Sequence, residues 1–416
     1  RTLSDTSRPK YSYIYTCRVH NTGEAHQTSA TTLCHCTQGE AKTMSSRSTA
    51  VPAGANAELV RTLADIERIG KAKLSPGPRL YYSMGADEEI TLAENVQAFK
   101  RLRLLPRLLR GVADRSLETV LLGKRVSLPV GISPTAFHKM AHPDGEAATA
   151  KAAAKAGTVM IVSISSTTAL EDVRHAAPDA LLWFQLCVLA DRAITHRLVT
   201  RAEKAGYSAI VYTADIPVGG SNTERFGDYL NDCSGDLRFA NFREEDVVNT
   251  GGRFWPHQVM NPESTWSDVT WLKSITKLPV VVKGILTVEA AIQAVEHGAS
   301  AIMVSNHGGR QLDCVPATID VLPEIVRAVG SRCEVYVDGG VRLGTDVVKA
   351  IALGARAVFV GRPVLYGLAY SGEQGVFKVF EILRTETDRA MALMGCRSVS
   401  ELHTDMVVRL ERISKL

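Results

Sequence analysis

The stretch LPVVVKGILTVEAAIQAVEHGASAIMVSNHGGR, residues 278–310, carries the fold in miniature. A β-branched run, Val280-Val281-Val282, stops at Lys283-Gly284, and a stretch rich in Ala and Glu follows. A second apolar run, Ala301-Ile302-Met303-Val304, stops at Ser305. Parallel strands are buried on both faces and read as continuous apolar runs, and only a crossover helix can join two of them. The segment is therefore strand, helix, strand.

Working outward, the same unit recurs. Upstream lie Val130-Gly131-Ile132, Val159-Met160-Ile161-Val162, Leu181-Leu182-Trp183-Phe184 and Ala209-Ile210-Val211-Tyr212; downstream lie Val335-Tyr336-Val337 and Ala357-Val358-Phe359-Val360. That makes eight runs, the number that closes a barrel, so the expected fold class is α/β with a single (β/α)8 TIM barrel. Residues 85–110 predict a helical entry with Asn95 and Phe99 on one face, and Gly375 to Met394 predicts a closing helix. The spacing is uneven only between the fourth and fifth runs. There, residues 218–271 are interrupted by Gly, Asn, Asp and Pro, and so long a connection predicts a lid over the barrel mouth.

A chain of 416 residues that is 45% hydrophobic can bury one large core. The charge of +4, from 48 basic and 44 acidic side chains, gives no strong field for nucleic acid or an anionic membrane. No stretch reaches the roughly 18 apolar residues of a membrane span. The eight cysteines are scattered except at Cys34-His35-Cys36, which lacks a second ligand pair, so no metal site is expected. Residues 1–55 are rich in Ser, Thr, Gly and Ala without periodicity and read as a disordered or non-native extension ahead of the barrel at 56–416. Met44 reads as a start, with an organellar transit peptide as the alternative.

Side chains at the carboxyl ends of barrel strands converge on one mouth. In this sequence those positions hold Pro134-Thr135, Ser163, Gln185, Thr213 with Asp215, Lys283, Ser305 with His307, Asp338, and Gly361-Arg362. Asp338-Gly339-Gly340-Val341-Arg342 and Gly361-Arg362-Pro363 follow runs seven and eight, where barrels bind phosphate on glycine amides and arginine. His307 offers a base near neutral pH, Arg310 a carboxylate clamp, and Asp215 a partner that could orient the imidazole. Lys283 could form a Schiff base or stabilise a developing anion.

These segments carry a resemblance. Together with Tyr81-Tyr82-Ser83-Met84-Gly85-Ala86 and Ser133-Pro134-Thr135-Ala136, they make residues 81 to 406 resemble the FMN-dependent 2-hydroxy acid oxidase and dehydrogenase family. The resemblance implies that FMN lies across the mouth with its phosphate on Gly340, Arg342, Gly361 and Arg362 and its ribityl chain near Asp338. Pro134, Thr135, Ala136, Ser163, Gln185, Thr213 and Ser305 would belong to the flavin site, and Lys283 to the N1 and C2 carbonyl edge. It gives the substrate carboxylate to Arg310, Tyr81 and Arg225, the last from the lid segment Arg225 to Asn231 matched with a shift. It gives the substrate proton to His307, with Asp215 stabilising the imidazolium.

The chain departs from the family at two positions: Cys187 stands where a tyrosine is usual, and Ser165 where glycolate oxidases carry tryptophan. A larger side-chain space is expected, favouring longer or bulkier 2-hydroxy acids. Ser414-Lys415-Leu416 reads as the address of the peroxisomal import receptor, which with an oxidase reading implies oxygen as the acceptor. The expected partners are then a small 2-hydroxy acid, oxygen and that receptor, with a homo-oligomer, tetrameric by analogy. Open alternatives are a dehydrogenase with another acceptor, a Schiff-base aldolase or isomerase, and a flavin-binding pseudoenzyme.

Overall fold

The computed structural model describes residues 59–221, 239–243, 246 and 261–415. The proposed extension at 1–55, the Cys34-His35-Cys36 triplet and Arg225 lie outside the described residues.

Each of the eight apolar runs is a barrel strand. They are β1 (Val130–Ile132), β2 (Val159–Ser163), β3 (Leu181–Leu186), β4 (Ile210–Thr213), β5 (Val280–Ile285), β6 (Ala301–Val304), β7 (Glu334–Asp338) and β8 (Ala357–Val360). All pairs are parallel, and β8 closes on β1 through Val358–Val130. Alternation along the strands sorts the residues. Val159, Ile161, Trp183, Val211, Val281, Met303, Tyr336 and Phe359 fill the barrel interior. Their neighbours Met160, Val162, Leu182, Ile210, Val280, Ile302 and Val337 pack outward against the helices. This period of two is the pleat itself.

The outer helices are α1 (Gly145–Ala156), α2 (Leu170–Ala176), α3 (Arg192–Lys204), α4 (Ser267–Ile275), α5 (Val288–Glu296), α6 (Thr318–Val329), α7 (Gly344–Ala352) and α8 (Arg362–Leu393). The predicted closing helix is the second half of α8, which is broken at Ser371 and Gly372. Gly372 has φ +55°, and a Cβ there would stand 3.0 Å from the His142 ring.

The expected lid range overshoots at its end. Residues 267–271 belong to α4, because Asp268 accepts the Thr265 N–H at 2.8 Å and pairs with Arg192, fixing the helix start. Asn241, inside the same range, is buried and tied to the barrel mouth. Its amide donates to the carbonyls of Ser163 and Ile164 and its oxygen accepts from Leu170 N–H.

The amino end of the barrel is plugged by an antiparallel hairpin, Thr119–Leu121 with Lys124–Val126. Leu121 is fully buried in the interior cluster, and Leu122 N–H donates to Glu334 at the start of β7. Three helices precede the barrel, Leu63–Lys73, Pro76–Ser83 and Ile90–Lys100. The last buries both Asn95 and Phe99. No helix among the described residues is long and apolar enough to cross a membrane.

Candidate active site at the carboxyl end of the barrel

The interior aromatic layer closes the floor, so the open end of the barrel must be roofed by whatever stands on the strand ends. There a single cavity is lined by Pro134, Thr135, Ala136, Ser163, Gln185, Thr213, Lys283, His307, Arg310, Asp338, Gly340, Arg342, Gly361 and Arg362, with Tyr81 entering from the Pro76–Ser83 helix. Ser305 and Asp215 sit behind this lining, each bonded to a residue that is part of it.

Lys283 lies in the carboxyl half of β5 and is almost fully buried. Its Nζ donates to Ser305 Oγ at 2.8 Å and stands 3.7 Å from Asp338 Oδ2. Ser305 Oγ also accepts the His307 backbone N–H at 3.1 Å, so one hydroxyl links the lysine to the histidine loop. Asp338 Oδ2 accepts from Ser133 Oγ at 3.0 Å, which ties β7 to β1. A lysine nitrogen placed beside a carboxylate and a serine hydroxyl suits anion stabilisation.

The β5 strand bulges between Lys283 and Ile285, and the residue between them must be glycine. Gly284 has φ +106°, and a Cβ on it would lie 2.7 Å from the Cβ of Asp215. This close approach lets Asp215, two residues past β4, reach His307, whose Nδ1 lies 2.9 Å from Asp215 Oδ1. Burial works against a charge on Asp215. The attraction of His307 and of Lys283, with the hydrogen bond, outweighs it, and the carboxyl is held below its usual range. His307 itself has φ +57°, a left-handed turn that folds the imidazole back over the mouth. With Nδ1 committed to Asp215, Nε2 is the ring nitrogen left for a substrate.

Arg310 Nη1 donates to the carbonyl of Tyr81 at 2.6 Å, and its guanidinium lies 4.6 Å from the centre of the Tyr81 ring. Arg362 is held by three carbonyls: Nε donates to Tyr82 and the two terminal nitrogens to Gly308 and Met84. Burial, then the charges of Arg310 and Arg342, lowers its pKa to about 10. Arg342 pairs with Glu67 at 2.9 Å. Three arginines and a lysine thus meet one carboxylate, Asp338, on the cavity wall, and the balance is cationic.

Sequence reasoning undervalued the support on the N-terminal side. Asn95 and Asn306 exchange two amide bonds of 2.8 Å beside the cavity, and a Cβ on Gly340 would lie 1.9 Å from the Asn95 carbonyl. The positive φ of Gly339 and Gly340 is what lets the phosphate-type turn pass this helix. The buried helix face that carries Asn95 is the signal that could have placed it.

The cavity fits a planar, anionic cofactor. Thr213 Oγ1 and Asp338 Oδ1 are buried without partners in the protein, and buried polar atoms of that kind call for a ligand. The cationic wall suits a phosphate.

Residues 70–409 match the model of the FMN-dependent dehydrogenases. The chain belongs to the FMN-dependent 2-hydroxy acid oxidase family.

Among its relatives, 2-hydroxyacid oxidase 1 of Mus musculus is 48% identical over 83% of this chain and 95% of its own length. A peroxisomal (S)-2-hydroxyacid oxidase of Arabidopsis thaliana is 46% identical over 82% of this chain and 95% of its own length. The crystal structure of mandelate oxidase with (S)-2-phenylpropionate superposes with a TM-score of 0.75 at 40% identity, covering 83% of this chain and 97% of that one. The cofactor of this family is FMN. Its members share the (β/α)8 barrel described above, in which the cavity-lining residues are the ones that would hold it. Among the described residues no group of three or more His, Cys, Asp or Glu is placed to hold a metal ion.

Proposed function

We propose that the protein oxidises (S)-2-hydroxy acids to 2-oxo acids and passes the electrons to oxygen, giving hydrogen peroxide, inside peroxisomes. The balance is a hydroxy acid plus oxygen to an oxo acid plus hydrogen peroxide. The observation that carries this reading is the convergence of His307, Arg310 and Lys283 on one cavity, with Asp215 2.9 Å behind the imidazole.

FMN, when bound, supplies the two-electron acceptor. Everything else falls to the protein. Arg310 grips the substrate carboxylate, with the Tyr81 ring fixing the guanidinium from behind. Nε2 of His307 takes a substrate proton, and Asp215 stabilises the imidazolium so formed. Lys283, 3.7 Å from Asp338 on the cavity wall, would stabilise the negative charge that reduced FMN carries when bound. Arg225 is proposed as a further carboxylate contact on the resemblance alone.

The side-chain space supports a longer or bulkier substrate. Ser165 and Cys187 both line the cavity and both are small. Cys187 is pushed up to about 12, by burial and then by Asp215, so it stays a neutral thiol. Oxygen as acceptor is supported by the oxidase names of the relatives. The peroxisomal location is supported by Ser414-Lys415-Leu416 and by the name of the Arabidopsis relative. Peroxide yield in air tests the acceptor, and one peroxide per oxo acid is expected. Oxo acid formed without peroxide would favour a dehydrogenase. A fluorescent protein ending in this tripeptide should become punctate, and diffuse signal would refute the location.

A further inference from the structure

The mechanism leaves several buried titratable groups unused, and one of them, His138, is bonded to a residue of the cavity lining. His138 lies against the wall of the cavity, is 1% exposed, and both its ring nitrogens are bonded. Nε2 is 2.6 Å from Thr135 Oγ1, and Nδ1 is 2.9 Å from Thr149 Oγ1.

Donor accounting fixes the protons. A hydroxyl has one hydrogen, and Thr149 donates its own to the Gly145 carbonyl at 3.3 Å. With that hydrogen on the carbonyl, the ring proton is assigned to Nδ1, which donates to Thr149. Burial is the largest influence on His138 and lowers its pKa, against the pull of Glu146 and of the Thr135 backbone, and this favours the neutral ring. Nε2 is then an acceptor, and Thr135 donates to it. Glu146 is the charged group that bears on the ring. It is fully buried, and it accepts from the His138 backbone, the Thr167 backbone and the hydroxyls of Thr167 and Thr168.

Thr135 is thus pinned from two sides. Its hydroxyl hydrogen points back to His138, while its methyl faces Gly361, where a Cβ would lie 3.4 Å from Cγ2. What remains toward the cavity, which Thr135 lines, is a lone pair. Thr135 follows β1, and β1 stands four strands from β5 in the closed ring of eight, diametrically across from Lys283. If Lys283 holds the N1 and C2 carbonyl edge, as the resemblance implies, the edge of FMN turned toward Thr135 would be that of N5. Two-electron reduction converts N5 from a hydrogen-bond acceptor to an N–H donor.

We propose that His138 is a positioning residue that fixes Thr135 as an acceptor toward the N5 edge, so that the wall favours reduced over oxidised FMN. This rests on the FMN reading above.

The test is the midpoint potential of the FMN-loaded full-length protein, from reductive titration against a reference dye. His138→Leu frees the Thr135 hydroxyl to donate into the cavity, and Thr135→Val removes the acceptor. Each should lower the ratio of reduced to oxidised binding by up to about tenfold, about 30 mV for a two-electron couple. The double variant should fall no further than Thr135→Val alone. A rise or no change in His138→Leu, or additive shifts in the double variant, overturns the proposal. Should His138→Leu fold poorly, Thr135→Ser keeps the hydroxyl and should hold the wild-type potential while Thr135→Val drops; equal potentials in those two overturn it. Wild type that takes up no FMN would instead sink the reading beneath.

Discussion

Replacing Asp215 with Asn is the perturbation whose cost the geometry lets us work out. The amide keeps the carboxylate's shape in a pocket where Gly284 leaves room for nothing larger, so the fold should survive. What is lost is a full charge beside the imidazole at a bond of 2.9 Å. For unit charges about 4 Å apart at an effective dielectric near 20 the attraction is about 4 kcal/mol, and the partial exposure of the pair, 27% for His307 and 15% for Asp215, reduces it to about 2–4. That attraction exists only once His307 has taken the proton. It therefore belongs to the transition state, and its loss lowers kcat and kcat/KM together. Each 1.36 kcal/mol is tenfold, so the fall should be about 30- to 1000-fold. Anaerobic stopped-flow reduction of the bound flavin by saturating substrate measures it directly. A fall of less than about threefold would refute the role given to Asp215.

Gly284→Ala should act through the same pair. Its Cβ would meet Asp215 at 2.7 Å in a left-handed backbone, so we expect a lower melting temperature and at least about tenfold slower flavin reduction. Ser165→Trp should fill the side-chain space and lower the ratio of kcat/KM for 2-hydroxyoctanoate over glycolate at least about tenfold, read by steady-state assays. The pH dependence follows from the depressed carboxyl of Asp215. A group whose folded pKa lies below its unfolded value stabilises the fold above the ordinary carboxylate range, near 4, and the contribution disappears as pH falls through the folded value. Wild type should therefore exceed Asp215→Asn in melting temperature at pH 7, with the gap closing below about pH 4. A gap that is constant in pH would count against a charged Asp215 held by Lys283 and the hydrogen bond from His307.

The strands were legible because burial on both faces forces uninterrupted apolar runs, and the site because barrel topology turns strand ends into a list of neighbours. Lys283, His307 and Asp338 could be placed that way from their positions in the chain alone. Features that depend on close packing between distant segments were not legible. The amide exchange of Asn95 with Asn306 joins residues far apart in the chain, and the helix face that signals Asn95 does not name its partner. The same holds for Leu121 as the barrel plug and for Asn241 as the anchor of the fourth connection. The side-chain partners of Arg362 were equally hidden. Glycine-arginine after β8 signals a phosphate site, yet only the fold shows the guanidinium gripping three carbonyls. The expected range 218–271 ran into α4 because that helix starts on a bond from Thr265 to Asp268, a cap lost among many loop-forming residues.

The central claim is that His307, Arg310 and Lys283 act on one substrate beside one flavin. Anaerobic addition of an (S)-2-hydroxy acid to the purified yellow protein tests it most directly. The account predicts stoichiometric bleaching of the flavin absorption in wild type and retained colour without bleaching in His307→Gln. A colourless protein, or a yellow one that no 2-hydroxy acid bleaches, would contradict it.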